Sequence, residues 1–221
     1  MITLQTIKQN ESIKALVSAG NRYLAALGYT DHGPRHLSYV SRTASGVLKS
    51  LGYSERESEL AAIAGWVHDV GNSINRQDHG QSGAVMLFPI LKEAGMGIGD
   101  AVEVITAVGN HEEQNGIVSS AVSAALVIGD KSDAHKSRVR HGRPGAGDIH
   151  DRVNFAIQEN AVSVDRKNKL ILQALTMDKS SSVLEYLSIY LPRIIMIENA
   201  AGFLGQNFEL IINGATINNR R

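Results

Sequence analysis

The stretch that decides the fold is residues 61–72, AAIAGWVHDVGN, in which a run of small and apolar residues ends on His68, Asp69 and a nearby glycine. Small residues let other helices come close, so the segment is expected to be a buried helix that ends near Gly71. Adjacent helical residues project about 100° apart, so His68 and Asp69 can reach one point only where the helix ends. Burying an ionised carboxylate without a partner costs several kcal/mol. The segment therefore indicates a cation or a base beside Asp69.

The composition excludes several classes of function. With 221 residues the chain is long enough for one globular domain. The 22 Lys and Arg balance the 22 Asp and Glu, so the overall charge does not favour nucleic acid or an anionic membrane as partner. The absence of cysteine excludes disulfides, thiolate metal sites and a Cys nucleophile. No secretory signal and no run of roughly 18 apolar residues is present, so we expect a soluble, cytoplasmic protein.

The chain up to about residue 140 has apolar residues at three- and four-residue steps, which is typical of helices. Pro34, a capping box of Ser54 and Glu57, and glycines after the apolar runs mark the helix ends. Six helices are predicted, at about 6–27, 32–51, 54–70, 78–94, 99–110 and 119–139. We expect them to pack as a bundle.

From residue 140 the pattern changes. The segment HGRPGAGD has the composition of a loop, and the alternation after it predicts an antiparallel hairpin. The inward-facing residues of its two strands would be Val153, Phe155 and Ile157, and Leu170, Leu172 and Ala174. A helix at 182–201 and a last strand, FELIING, follow. The predicted fold is mainly α: a helical bundle of residues 1–140 with a small C-terminal antiparallel α+β layer, residues 141–221, packed on it as one globular unit.

The pair His68-Asp69 is weak evidence by itself, because a His-Asp dipeptide arises by chance in about a third of such chains. His150-Asp151 is a second pair with no apolar helix before it, and we expect an exposed turn or strand start there. Around the first pair, however, ligand-type side chains recur once per predicted helix. They are His36, His68 with Asp69, His79, His111 and Asp130.

Helix ends that converge on one point could present these groups to one ion or to two, and two are expected. Mixed imidazole and carboxylate ligands suit Mn, Fe, Co, Ni or Zn better than Mg or Ca. His32, one turn before His36, is an alternative first ligand or a residue of the pocket.

This order of residues resembles the HD-domain superfamily of metal-dependent phosphohydrolases, whose pattern is a His, a later His-Asp pair and a final Asp on a helical core. HLSYV after Arg35, WVHDVG and VIGDKSD are similar to its motifs, over roughly residues 31–140. The resemblance implies that one metal is bound by His36, His68, Asp69 and Asp130. It also implies that His79 and His111 bind a second ion, as in the dinuclear members, with Asp69 bridging the two.

The resemblance implies that metal-activated hydroxide hydrolyses a phosphate ester, and that this ester is a nucleotide. Asp69 is expected to be catalytic because it touches both ions. Lys131 and Arg138 are expected to neutralise phosphate charge, with Arg138 two turns after Lys131 on the same helix. Many dinuclear relatives resemble HDxGK, whereas this chain has the uncharged Asn72 in place of that lysine. Arg76, Lys131 or Arg138 would have to replace it.

Two other functions stay open. Some HD-fold relatives use the same six ligands for a di-iron centre that oxidises an organic substrate. A non-catalytic metal- or nucleotide-binding module is the other alternative, with the C-terminal layer serving a homodimer or signalling. The basic stretch KSRVRHGR lacks interleaved aromatic residues, so nucleic acid is not expected as a partner.

Three acidic neighbours of the ligands have plainer interpretations. Glu112 and Glu113 are expected to form a solvated helix end. Asp133 either orients a ligand histidine or a substrate hydroxyl, or it pairs with Lys136 on the helix surface.

Overall fold

The computed structural model describes residues 1–114, 116–142 and 149–218. In these residues the protein is mainly α-helical with a small sheet near the C-terminus, which confirms the predicted fold class. The helices of the described residues are α1 (Leu4–Gln9), α2 (Glu11–Ala26), α3 (Pro34–Leu51), α4 (Glu55–Val67), α5 (His79–Glu93), α6 (Ile98–Gly109), α7 (Ala121–Lys131), α8 (His150–Ala156) and α9 (Val183–Phe203). The strands are β1 (Ile157–Asp165), β2 (Leu170–Met177), β3 (Asn207–Ile212) and β4 (Ala215–Thr216).

Most helices begin and end at the predicted signals. Pro34 is the first residue of α3, and Gly52 ends it in the left-handed conformation at φ 88°. Ser54 caps α4 with the predicted capping box. The first predicted helix is instead two helices, because Asn10 is extended and its side chain accepts a hydrogen bond from the backbone N–H of Ile13, which caps α2.

The core lies where α3, α4 and α7 pack together, and helix α9 lies against α7. Ile63 of α4 and Leu126 of α7 are completely buried there. The closest approach is at Gly65, where an added Cβ would stand 2.7 Å from Cα of Ser41 on α3. The small residues before His68 therefore bring three helices together around the end of α4. No helix in the described parts of the chain is long and apolar enough to span a membrane.

The sixth predicted helix is shorter than expected. Helix α7 ends at Lys131, and a short 3-10 turn at Lys136–Arg138 follows after a break. The prediction that Arg138 continues the helix of Lys131 is therefore wrong.

The C-terminal layer differs from the prediction in its elements and in the face of β2 that is buried. Residues His150–Ala156, predicted as a strand, form helix α8, and Val153 and Ala156 are buried on it. The hairpin exists but its first strand begins at Ile157; β1 and β2 are antiparallel, with Ala161 opposite Ala174. On β2 the buried positions are Ile171, Gln173 and Leu175, and not the predicted Leu170, Leu172 and Ala174. Most of the predicted loop before α8 lies in residues 143–148, outside the described residues.

The sheet has the order β1-β2-β3-β4 and is mixed, not antiparallel as predicted. Strand β3 is parallel to β2, and β4 is antiparallel to β3. The reason is helix α9, which connects β2 to β3 and carries the chain back to the end of the sheet where β2 began.

Candidate metal centre

The end of helix α4 positions the central pair. His68 still has helical dihedral angles, but Asp69 leaves the helix at φ −96°, ψ 4°, and a 3-10 turn at Val70–Ser73 follows. This turn packs against the start of α5, since a Cβ on Gly71 would lie 1.9 Å from the carbonyl oxygen of His79. The lack of a side chain at Gly71 is thus what brings His79 beside Asp69.

Four side chains from three helices form a first group of donor atoms. They are Nε2 of His36, Nε2 of His68, Oδ2 of Asp69 and Oδ1 of Asp130. The two Nε2 atoms are 3.3 Å apart, and the carboxylate oxygens lie 3.4 or 3.5 Å from them. Two donor atoms that each lie about 2.1 Å from the same ion are roughly 3.0 to 3.5 Å from each other. The four atoms therefore have the spacing of ligands to a single ion.

A second group lies on the other side of Asp69. Its Oδ1 is 3.2 Å from Nε2 of His79, and that nitrogen is 3.1 Å from Nε2 of His111. His68, Asp69 and His111 are also close enough to hold an ion. The two oxygens of one carboxylate thus face two different sets of histidines. All six predicted ligands are brought together.

The hydrogen bonds of the histidines fix which ring nitrogen faces the centre. Nδ1 of His68, His79 and His111 lies 3.1, 3.0 and 2.6 Å from the backbone carbonyls of Gly65, Arg76 and Val108. A carbonyl only accepts, so each Nδ1 carries the proton, and each Nε2 of a neutral ring points its lone pair inward. Metal ligands in proteins are commonly oriented in this way.

One atom of the centre is left without a partner. Oδ2 of Asp69 is buried and accepts no hydrogen bond from the described residues. An unpaired buried carboxylate oxygen is costly, and a metal ion at the first group would satisfy it. The donor types, the spacing and this oxygen all fit a bound transition-metal ion.

The carboxylates of the centre are ionised. Burial acts to raise the pKa of Asp69, but His68 and the hydrogen bond with His79 outweigh it and hold that pKa well below its usual value. The pKa of Asp130 is likewise well below its usual value, since Lys131 and His68 outweigh burial. Burial and the neighbouring His79 lower the pKa of His111 to about 3. The centre therefore combines negative charge with a neutral imidazole.

Asp133 orients the ring of His36 through the ring nitrogen that faces away from the centre. Its Oδ2 is 2.7 Å from Nδ1 of His36, and both of its oxygens accept hydrogen bonds from the single nitrogen Nη1 of Arg35. Lys136, the other predicted partner of Asp133, donates instead to the side chain of Gln158. Of the roles considered for Asp133, its contacts match the orientation of a ligand histidine.

Glu112 and Glu113 are not a solvated helix end, which corrects that expectation. Oε1 of Glu112 is 2.8 Å from Nδ1 of His79 and accepts from the backbone N–H of Gly80 at 2.5 Å. Oε1 of Glu113 pairs with Arg193 of α9 at 3.1 Å. Both residues lie in the turn after α6, which folds back over the centre.

The two cations predicted to face the substrate are buried and paired with carboxylates. Nζ of Lys131 lies 2.7 Å from Oδ2 of Asp130 and 3.3 Å from Oε2 of Glu113. Nη1 of Arg138 donates to the backbone carbonyl of Asp133 at 3.1 Å and lies 3.7 Å from its Oδ2.

His32 and the second His-Asp pair lie outside both groups. Nδ1 of His32 bonds to the carbonyl of Thr30 at 2.8 Å, and its ring centroid is 5.4 Å from that of His36. It is thus a buried neighbour of the ligands. His150 and Asp151 begin helix α8 rather than a strand, and Asp151 is buried.

A cavity of about 630 Å³ opens beside the second group. Its lining includes Tyr23, Tyr29, Arg76, His79, Glu112 and Glu113. The sequence reasoning missed both tyrosines; Tyr23 lies on α2 and Tyr29 just after it, and no motif marks either residue.

Comparison with known proteins adds little to this geometry. No protein-family model matches the chain. The chain is similar to an uncharacterized protein, MJ1020, of Methanocaldococcus jannaschii, with 26% identity over 63% of this chain and 62% of the relative. The aligned part thus spans about three fifths of that relative's length. Its name states no activity, so the functional argument rests on the centre itself.

Proposed function

We propose that this protein is a dinuclear metal-dependent phosphohydrolase of the HD type, acting on a phosphate ester of a small molecule such as a nucleotide. The observation that supports this most strongly is the carboxylate of Asp69, whose two oxygens face two separate sets of imidazole nitrogens. A carboxylate placed in this way can bridge two ions.

The residues divide into three roles in this proposal. His36, His68 and Asp130 hold one ion, His79 and His111 hold the other, and Asp69 binds both. Two such ions, Mn, Fe, Co, Ni or Zn, would supply an activated water molecule and polarise the oxygens of the phosphoryl group.

The chain itself keeps the ligands ready. Backbone carbonyls and the carboxylates of Asp133 and Glu112 hold the Nδ1 protons, so the rings cannot rotate without losing a hydrogen bond. Lys131 partly neutralises Asp130 and Glu113. The rings of Tyr23 and Tyr29 give the cavity aromatic surfaces against which a planar base could stack. The lack of cysteine fits a reducing compartment such as the cytoplasm.

Metal analysis of the purified protein, followed by a panel of nucleotides and sugar phosphates, tests the proposal. We expect two ions per chain and phosphate release that Mn²⁺ or Co²⁺ stimulates and a chelator abolishes. A pair of irons with O₂-dependent turnover and no phosphate release would identify an oxygenase instead. Bound ions with no turnover of any ester would favour the binding module.

A further inference from the structure

A phosphohydrolase needs a cation that binds the charged oxygens of its substrate, and three candidates lie near the centre: Arg76, Lys131 and Arg138. Lys131 is 5% exposed and Arg138 is 2% exposed. Lys131 is paired with Asp130 and Glu113, and turning it toward a substrate would leave the ionised carboxylate of Asp130 without its nearest cation, which is costly. Arg138 lies 3.7 Å from Asp133, and neither of these two cations is among the residues that line the cavity beside the second group.

Arg76 is in a different situation. It lines the cavity beside the second ligand group and is partly exposed. Nη1 of Arg76 lies 3.3 Å from Nε2 of His79 and donates to the side-chain oxygen of Asn72 at 3.4 Å. Its guanidinium also stands 5.9 Å from the centre of the Tyr29 ring. Among the described residues, no carboxylate lies within ion-pair distance of Arg76.

The contact with His79 also indicates where the guanidinium can act. Nε2 of His79 is one of the atoms that face Asp69, so Nη1 of Arg76 is at the edge of the second group. Neither the contact with His79 nor that with Asn72 pairs the charge of Arg76 with an anion, and the side chain lines the cavity. An anion in the cavity could therefore accept two N–H groups of Arg76 in the bidentate geometry typical of arginine and phosphate.

We propose that Arg76 binds the anionic group of the substrate at this centre, and that the cavity lined by Tyr23 and Tyr29 receives the rest of the substrate. The inference rests on the proposed function. It assigns to Arg76, four residues after Asn72 in the sequence, the charge that a lysine at position 72 would carry in HDxGK relatives. Lys131 then stabilises the carboxylate of Asp130, Arg138 stabilises that of Asp133, and neither touches the substrate.

The test is the binding of inorganic phosphate to the Mn²⁺-loaded protein, measured by calorimetry for Arg76→Ala and Arg76→Lys. Loss of a charged hydrogen-bond donor should weaken phosphate binding about tenfold or more in Arg76→Ala. Arg76→Lys should lie between this variant and the natural protein, because it keeps the charge but not the bidentate geometry. Arg42→Ala is the matched control: Arg42 is an exposed arginine of α3 away from the cavity, and its removal should leave phosphate binding unchanged.

Metal content, measured on the same samples, separates the outcomes. Unchanged metal with weakened phosphate binding supports the role of Arg76. Phosphate binding as tight as in the natural protein overturns it, and so does loss of metal from both Arg76 variants, because Arg76 would then support His79. A natural protein that binds ions and phosphate but cleaves no ester refutes the proposed hydrolysis while the assignment of Arg76 stands. Failure to bind any ion overturns both proposals.

Discussion

The side-chain amide of Asn72 donates a hydrogen bond of 2.8 Å to Oδ1 of Asp69, the oxygen that faces His79 and His111. The same amide donates to the backbone carbonyl of Asp69 at 3.1 Å, and Asn72 is 1% exposed. Asn72 is therefore occupied in orienting the central carboxylate. At this position the chain has a residue that supports the ligands in place of one that could reach a substrate.

Replacing Asn72 by Ala should lower the affinity for metal by about 10- to 100-fold, since residues that orient ligands contribute on that scale. The affinity would be measured by competition with a chromophoric chelator. Asn75→Ala is the control: Asn75 is exposed in the same loop and accepts only a local hydrogen bond from the backbone of Gln77. Equal affinities in the two variants would contradict the role of Asn72.

Single-ligand variants should separate the two groups by metal content. His79→Ala should retain one ion per chain, because the four donors of the first group remain. Asp69→Ala should lose both ions together with activity, because its carboxylate serves both groups. Elemental analysis after gel filtration measures the metal content of each variant. His150→Ala is the control, a histidine variant that should keep its metal. Full metal in Asp69→Ala would refute the bridging role.

Metal binding at neutral pH should release protons. In the metal-free protein burial acts to lower the pKa of His79, but hydrogen bonds with Asp69 and Glu112 outweigh it and raise that pKa to about 9. A raised pKa stabilises the fold fully below the unfolded value of 6.5, and this contribution is lost as the pH rises through about 9. An ion must displace this proton, so the metal affinity should increase as the pH rises from 7 to 9.

Calorimetric titration of metal in two buffers of different ionisation enthalpy counts the released protons. Glu112→Gln removes one of the carboxylates that raise the pKa of His79, so it should release fewer protons at pH 7.5. Binding heats that do not depend on the buffer would show that His79 is already neutral.

Asp133→Asn should destabilise the metal-free protein by about 3 kcal/mol, because Arg138 and the ring of His36 lose a completely buried anionic partner. The pKa of Asp133 is about 2, since the hydrogen bond with His36 and the charge of Arg138 outweigh burial, so the carboxylate is ionised at pH 7. Urea unfolding measures the effect. Asp165→Asn is the control and should leave stability nearly unchanged, since the carboxylate of Asp165 is bonded only within its own turn among the described residues. Similar losses in the two variants would contradict the prediction.

The parts of the fold that follow local rules could be predicted from the sequence. Helix α4, with its capping box at Ser54 and its small residues, and helix α3, from Pro34 to Gly52, are where the residue pattern places them. The six ligand-type residues converge because each lies at or near an end of its helix, including His36, which is the third residue of α3. Their order along the chain was therefore sufficient to group them.

The errors arise where distant contacts decide the structure. The alternation at Val153 and Phe155 fits a strand, but these residues form helix α8, in which Val153 is buried. The end of α7 at Lys131 depends on contacts made after the helix, since the side chains of Asn160 and Gln173 donate to the backbone carbonyl of Ser132. Glu112 is a ligand-orienting residue because the turn after α6 folds over His79, which no local pattern indicates.

The ion pairs of Glu113 connect the two parts of the chain. Arg193 of α9 binds Glu113, Glu113 binds Lys131, and Lys131 binds the ligand carboxylate of Asp130. Arg193 comes from the C-terminal layer, although all six candidate ligands come from the helical bundle. As a consequence, a bundle produced without the layer would keep every candidate ligand but lose one of the two cations that pair with Glu113. The smallest piece of this protein that preserves the electrostatics of the candidate metal centre therefore extends at least through α9.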